Sequence, residues 1–196
     1  EFEAVGFFIS DHPLNQFTEI FHDYKINEYS NFISDVEIKN SNIAATLLKL
    51  QERKTAKGNP YAVLKLTDLT SVFEIFIFSD VLELNRDILK EGNSLILTLI
   101  KNLTDDENRF KRINVQKIAS LKDLFNSPIK EVSFEVSSKN QIKIISKTLE
   151  ENGKTLVNIN LVTDDNVLQF KLKNSKNLDR KSLNLLRKQQ IQATIL

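Results

Sequence analysis

Pro60-Tyr-Ala-Val-Leu-Lys-Leu-Thr-Asp68 and Ser71-Val-Phe-Glu-Ile-Phe-Ile-Phe78, joined by the turn Leu69-Thr70, are the stretch on which the fold reading turns. Apolar and β-favouring residues cluster in both. The second alternates, so that Phe73, Ile75 and Ile77 fall on one side and Glu74 and Phe76 on the other. A hairpin with one core-facing wall is therefore expected. Upstream, Asn42-Ile-Ala-Ala-Thr-Leu-Leu-Lys-Leu-Gln51 reads as a further strand. Between it and the hairpin lies Glu52-Arg-Lys-Thr-Ala-Lys-Gly-Asn59, a basic loop with no apolar residue larger than alanine and hence nothing to bury. Downstream, Ser79 can cap a short helix over residues 80–90 that Gly92 ends. Strands over residues 94–103 and 109–118 then flank a turn at 104–108.

The order β-β-β-α-β-β over residues 41–118 is that of the OB-fold, a five-stranded barrel that binds oligonucleotides on its second and third strands and in the loops after the first and fourth. A fold alone assigns no function. Here, however, those positions carry Lys49, Arg53, Lys54, Lys57 and Lys65, then Arg109, Lys111 and Arg112. An outward Phe76 flanked by Lys65 or Tyr61 has the ring face and the charge that base stacking uses, and packing on the N-terminal helices is its alternative use. Arg53, Lys54 and Lys57, with Gly58 permitting close approach, can follow a phosphate backbone without reading bases. A solvated surface turn would have the same composition. Asp105, Asp106 and Glu107 partly offset the second basic cluster.

The 196 residues suit two small domains. With 27 Lys+Arg against 26 Asp+Glu, the net charge of +1 makes any affinity for polyanions local rather than global. There is no cysteine, and only His12 and His22 could serve a zinc site, so disulfide, thiolate and zinc chemistry are not expected. No apolar run approaches the roughly 20 residues that cross a bilayer, and no secretory signal is present in these residues, so a cytoplasmic protein without membrane partners is expected. The chain contains no methionine and is expected to be an excised piece of a longer protein.

Residues 1–40 form the first expected segment, helical and connective. Leu14, Phe17, Phe21 and Tyr24 recur at helical spacing, Pro13 suits a first turn and Asp11 could cap it. His12 lacks a nearby nucleophile and reads as structural. Asp23, Glu28, Asp35 and Glu37 match no metal-ligand loop and read as a solvated face. The barrel domain, residues 41–127, closes with a short helix over 121–125. Asn126-Ser127-Pro128 marks the boundary. Residues 128–196 form a third segment, an interaction domain. It reads as a strand at 131–136, a helix through Ile142, Ile145 and Leu149 that stops near Gly153, a hairpin of 154–162 and 167–173, a basic amphipathic helix at 178–189 and a closing strand at 190–196. This β-α-β-β-α-β succession is ferredoxin-like. The fold class is α+β.

Two motifs carry a resemblance. Thr55-Ala-Lys-Gly-Asn-Pro-Tyr-Ala-Val-Leu-Lys-Leu-Thr-Asp-Leu-Thr-Ser-Val-Phe-Glu-Ile-Phe-Ile-Phe78, preceded by Gly6-Phe-Phe-Ile-Ser-Asp-His-Pro-Leu14, resembles the C-terminal part of the bacterial replicative DNA polymerase III alpha subunits. Asp11 replaces a motif glycine, and Ser71 stands where that family often has glycine. The resemblance implies a parent DNA-directed DNA polymerase. It further implies an OB domain holding single-stranded template, and a C-terminal domain attaching the polymerase to the tau subunit of the clamp loader among other holoenzyme subunits. The clustered carboxylates that hold two metal ions about 3.5–4 Å apart are not in this segment, so neither catalytic residues nor a cofactor is expected within it. Two other readings stand beside this one: an RNA-binding OB domain of the kind found in aminoacyl-tRNA synthetases, which contacts to the 2′-hydroxyl would distinguish, and a pure protein-interaction module.

Overall fold

A computed structural model describes residues 11–103, 110–163 and 166–196, with backbone alone at Leu103, Phe110 and Lys111. It is a mixed α+β structure, mostly strands arranged in two sheets, and it divides into the units Glu1–Asn126 and Ser127–Leu196.

In the first unit a 3-10 turn, Asn15–Ile20, leads to strand β1 (Ile26–Asn27) and helix α1 (Tyr29–Ser34). Strands β2 (Asn40–Lys54), β3 (Pro60–Thr67) and β4 (Val72–Phe78) follow, then helix α2 (Ser79–Asn85), β5 (Ser94–Leu103), β6 (Phe110–Ser120) and helix α3 (Leu121–Asn126). The sheet order is β4-β3-β2-β5-β6, antiparallel throughout, with β1 added in parallel to β2. β2 is long because it serves both halves: residues 40–46 pair with β5, and residues 46–54 with β3. A bulge between Leu47 and Lys49 makes the change of partner.

β4 alternates as its sequence dictates, with Phe73, Ile75 and Ile77 buried and Glu74, Phe76 and Phe78 exposed. The inward rows meet Leu47, Leu64, Leu66, Leu95 and Leu97, and Phe32 of α1 joins this core fully buried. Lys101 closes α1 at its carboxyl end: its ammonium donates to the Asp35 carbonyl at 2.6 Å and lies 4.6 Å from the centre of the Phe32 ring. Burial lowers its pKa, against the opposing pull of the Asp35 charge. This cation therefore answers orphan helix carbonyls.

Several expectations are corrected here. Among the described residues no ladder joins β4 to β6, so the expected barrel is not closed by backbone hydrogen bonds; its two edges meet through side chains across a groove. The N-terminal stripe lies on a 3-10 turn rather than an α-helix. Leu14, Phe17 and Ile20 pack on Ala44 and Ile96 of the sheet and Leu121 of α3, with Phe21 and Tyr24 at the margin. The N-cap of that turn is Leu14, while Asp11 accepts a hydrogen bond from Asn15. Ser79 is inside α2, whose N-cap is Phe78; the helix ends at Asn85, and the chain reaches Gly92 (φ +87°) through turns. Glu52, Arg53 and Lys54, expected in a loop, are paired with Ala62, Tyr61 and Pro60. Only residues 55–59 turn, held by Thr55 and Gly58 N–H groups donating to the Asn59 and Thr55 carbonyls, each at 2.9 Å. Gly58, at φ +84°, supplies the left-handed residue such a turn requires.

The second unit comprises β7 (Glu131–Val136), helix α4 (Lys139–Thr148), β8 (Glu150–Val162), β9 (Val167–Lys171), β10 (Lys176–Asn177), helix α5 (Arg180–Lys188) and β11 (Gln192–Ile195). Ser138 and Gln141 form a capping box at the start of α4, and Asp179 accepts from the Ser182 N–H at 2.7 Å to start α5. The main succession is the expected one, but the pairing is not ferredoxin-like. β7 lies beside β8 in parallel, β11 flanks β7 antiparallel, and β9 and β10 share the other edge of β8. Residues 137–149 are long enough for the crossover that adjacent parallel strands need, about a dozen residues. Gly153 does not stop a helix. It lies within β8, where the backbone of residues 176–177 crosses so closely that a Cβ would stand 2.0 Å from the Asn177 nitrogen.

Candidate nucleic-acid interface

Register places the candidate residues in rows. Residues directly opposite one another in an antiparallel pair share a face. Lys49, Lys65 and Glu74 therefore form one row across β2, β3 and β4. Gln51, Val63 and Phe76 form the next, and Arg53, Tyr61 and Phe78 the third. All three rows face away from the core, because the intervening rows carry Leu50, Leu64 and Ile75, then Glu52, Ala62 and Ile77. Phe76 is 53% exposed and Phe78 45%, which is unusual for phenylalanine side by side on a sheet.

The edge of this face is a groove of about 320 Å³ between β4 and β6, lined by Glu74, Ile75, Phe76, Phe78, Arg112 and Ile113. The Arg112 guanidinium spans it, 5.6 Å from the centre of the Phe78 ring. Arg53 is tied to the neighbouring row of the same face by donating to the Gln51 side-chain oxygen at 2.9 Å. Among the described residues none of Lys49, Arg53, Lys65 and Arg112 is engaged in an ion pair. Arg86 behaves differently: it binds Glu52 at 2.6 Å and Glu83 at 2.8 Å, tying α2 to β2 on the opposite side of the sheet.

Lys49, Arg53, Tyr61, Lys65 and Phe76 are thus brought together on one face, with Arg112 across the groove. Lys54, opposite Pro60, belongs to the reverse face of the ribbon, and Lys57 is in the hairpin turn. Arg109 and the Lys111 side chain lie outside the described residues. Sequence reasoning passed over Phe78. The period of two that turned Phe76 outward would have found it.

A carboxylate governs how β3 meets β4. Asp68, only 4% exposed, accepts from the Ser71 and Thr70 N–H groups at 2.6 and 2.9 Å through one oxygen. Its other oxygen accepts from the Tyr29 N–H at 2.8 Å, and Tyr29 stacks on Phe73 at 3.8 Å. His12 joins the same site. Its Nδ1 accepts from the Leu14 N–H at 3.1 Å, and its ring lies within the field of the Asp68 carboxylate. Burial lowers the His12 pKa, and the Asp68 and Asp11 charges oppose that shift without cancelling it. His12 from the first motif therefore lies near Asp68 from the second, and burial favours its neutral form. Among the described residues no group of His, Asp and Glu could hold a metal ion, and no helix is long and apolar enough to cross a membrane.

No family model matches the chain. The chain is similar to DNA polymerase III subunit alpha of Rickettsia conorii, 28% identical over 147 residues that cover 74% of this chain and 12% of the relative. The same subunit of Rickettsia felis is 30% identical over 129 residues, 65% of this chain and 10% of the relative. That of Aquifex aeolicus is 29% identical over 111 residues, 55% and 9% respectively. The chain therefore spans about a tenth of the length of the curated relatives it matches, and its likeness is to a partial, C-terminal region of those subunits.

Proposed function

We propose that this chain is a non-catalytic C-terminal region of a replicative DNA polymerase III alpha subunit, in which residues 41–127 act as an OB-type module gripping unpaired template DNA. Residues 128–196 tether the polymerase to the tau subunit of its clamp loader. The parent enzyme, on this reading, is a DNA-directed DNA polymerase working in the replication holoenzyme. The likeness to alpha subunits supports the parentage. The strand-binding reading is carried by one observation: Phe76 and Phe78 lie exposed beside Tyr61, Arg53, Lys65 and Arg112 on one face.

Ring faces stack on bases whatever their identity, and cations beside them meet phosphates, so the binding is sequence-tolerant and salt-sensitive. Fluorescence anisotropy with labelled oligo(dT) tests this. Phe76→Ala should lower affinity by roughly 1–3 kcal/mol, the scale of one base–aromatic stack. Arg53→Ala should reduce the slope of log K against log salt by about 0.7, the value for one phosphate contact on a single strand. Salt-independent binding, or none, refutes the reading. Retention of tau by the immobilised chain, lost on mutation within residues 128–196, tests the tethering role separately.

A further inference from the structure

We propose that the groove between β4 and β6 holds one unstacked nucleobase and favours guanine. This rests on reading the face as a single-strand binder and adds a base preference to it. The groove is about 320 Å³, at the small end of the range for ligand sites and suited to one planar ring system. Phe76 and Phe78 supply its apolar ring faces, Arg112 forms the opposite wall, and Glu74 is the one carboxylate among its described lining residues.

Glu74 is the informative residue. On a surface that meets a polyanion, a carboxylate repels phosphates, so its presence among Lys65, Arg112 and the two phenylalanines calls for a partner that brings donors. Bases of a single strand offer their Watson–Crick edges to such groups. Guanine presents two adjacent donors there, the ring N1–H and the exocyclic amine, which match the two oxygens of a carboxylate. Adenine and cytosine place an acceptor nitrogen beside their amine, and thymine flanks its one N–H with carbonyls, so each sets a lone pair against the carboxylate. Arg112, on the facing wall, has the donor fork that suits guanine O6 and N7. Other bases still stack on Phe76, so the preference grades affinity rather than excluding sequences. Because Glu74 and Phe76 are exposed to water, the preference is about five- to tenfold, the low end for a bidentate pair.

The test measures binding of the full chain to oligo(dT), to the same strand with one central dG, and to one with central deoxyinosine, which lacks the exocyclic amine. The dG strand should bind about five- to tenfold tighter than oligo(dT), and inosine should lose most of that gain. Glu74→Gln, which keeps the size but sets an NH2 donor where one of the two acceptor oxygens stood, should bring the dG strand and oligo(dT) to within about twofold of each other. Equal affinity for the three strands, or a dG preference that survives Glu74→Gln, overturns this inference while the strand-binding reading stands. Failure to bind any of the three overturns both.

Discussion

Removing the Asp68 carboxylate should unfasten the part of the first unit that presents the aromatic face. In Asp68→Ala, the N–H groups of Tyr29, Thr70 and Ser71 lose acceptors at 2.8, 2.9 and 2.6 Å. A hydrogen bond to a charged group contributes about 1.5–3 kcal/mol net, and an orphaned buried donor costs about 1–3 kcal/mol. Thr70 is exposed and water can replace its partner, whereas Tyr29 and Ser71 are half-buried. Counting those two gives a loss of about 3–6 kcal/mol. Asp68→Asn keeps an acceptor for the turn but turns its amide toward the Tyr29 N–H or loses that bond, so about half of the loss is expected. Urea denaturation followed by circular dichroism measures the total. Amide hydrogen exchange over residues 72–78 localises it, since β4 should lose protection before β7. The loss of less than about 1 kcal/mol in Asp68→Ala, with β4 protection intact, would refute the assignment of Asp68 as the clasp of this hairpin.

Gly153→Ala should destabilise the second unit by about 2–4 kcal/mol, because a Cβ 2.0 Å from the Asn177 nitrogen forces β10 off β8; unchanged denaturation of that unit would contradict the close approach. His12 predicts a pH dependence of the first unit. Its pKa is lower in the folded chain than its ordinary 6.5, so the unfolded chain binds more protons between the two values. Stability is full above about pH 6.5 and falls as pH drops through the folded pKa. His12→Asn should flatten that slope between pH 7 and 5, and identical slopes in the two proteins would rule out His12 as its source.

What could be read without coordinates follows the range of the forces involved. The alternation of β4 is a local property, and Phe73, Ile75, Ile77 and Phe76 all point where their period sends them. The short α3 and the strand at Glu131–Val136 are likewise local. Pairing is not. Nothing in residues 131–162 alone says whether β8 inserts beside β7 or leaves room for another strand, and the parallel neighbour prevails. Gly153 was misread because glycine serves both to end helices and to admit a crossing backbone, and the crossing strand comes more than twenty residues later in the chain. Charge without apolar residues suggested a loop at 52–59, yet a ribbon projecting beyond its core needs no apolar face, and Arg53 is paired in it. The candidate interface was legible as residue types. What joined them was register, which brings Arg53, Tyr61 and Phe78 into one row.

The way β4 and β6 face each other has a mechanical consequence. Since side chains such as Arg112 and Phe78, and no described ladder bonds, bridge that seam, the seam can widen by rotating a guanidinium instead of breaking main-chain pairing. A planar group held in the groove could then enter and leave at the cost of a side-chain rotation alone, with the strands on either side still paired to their neighbours.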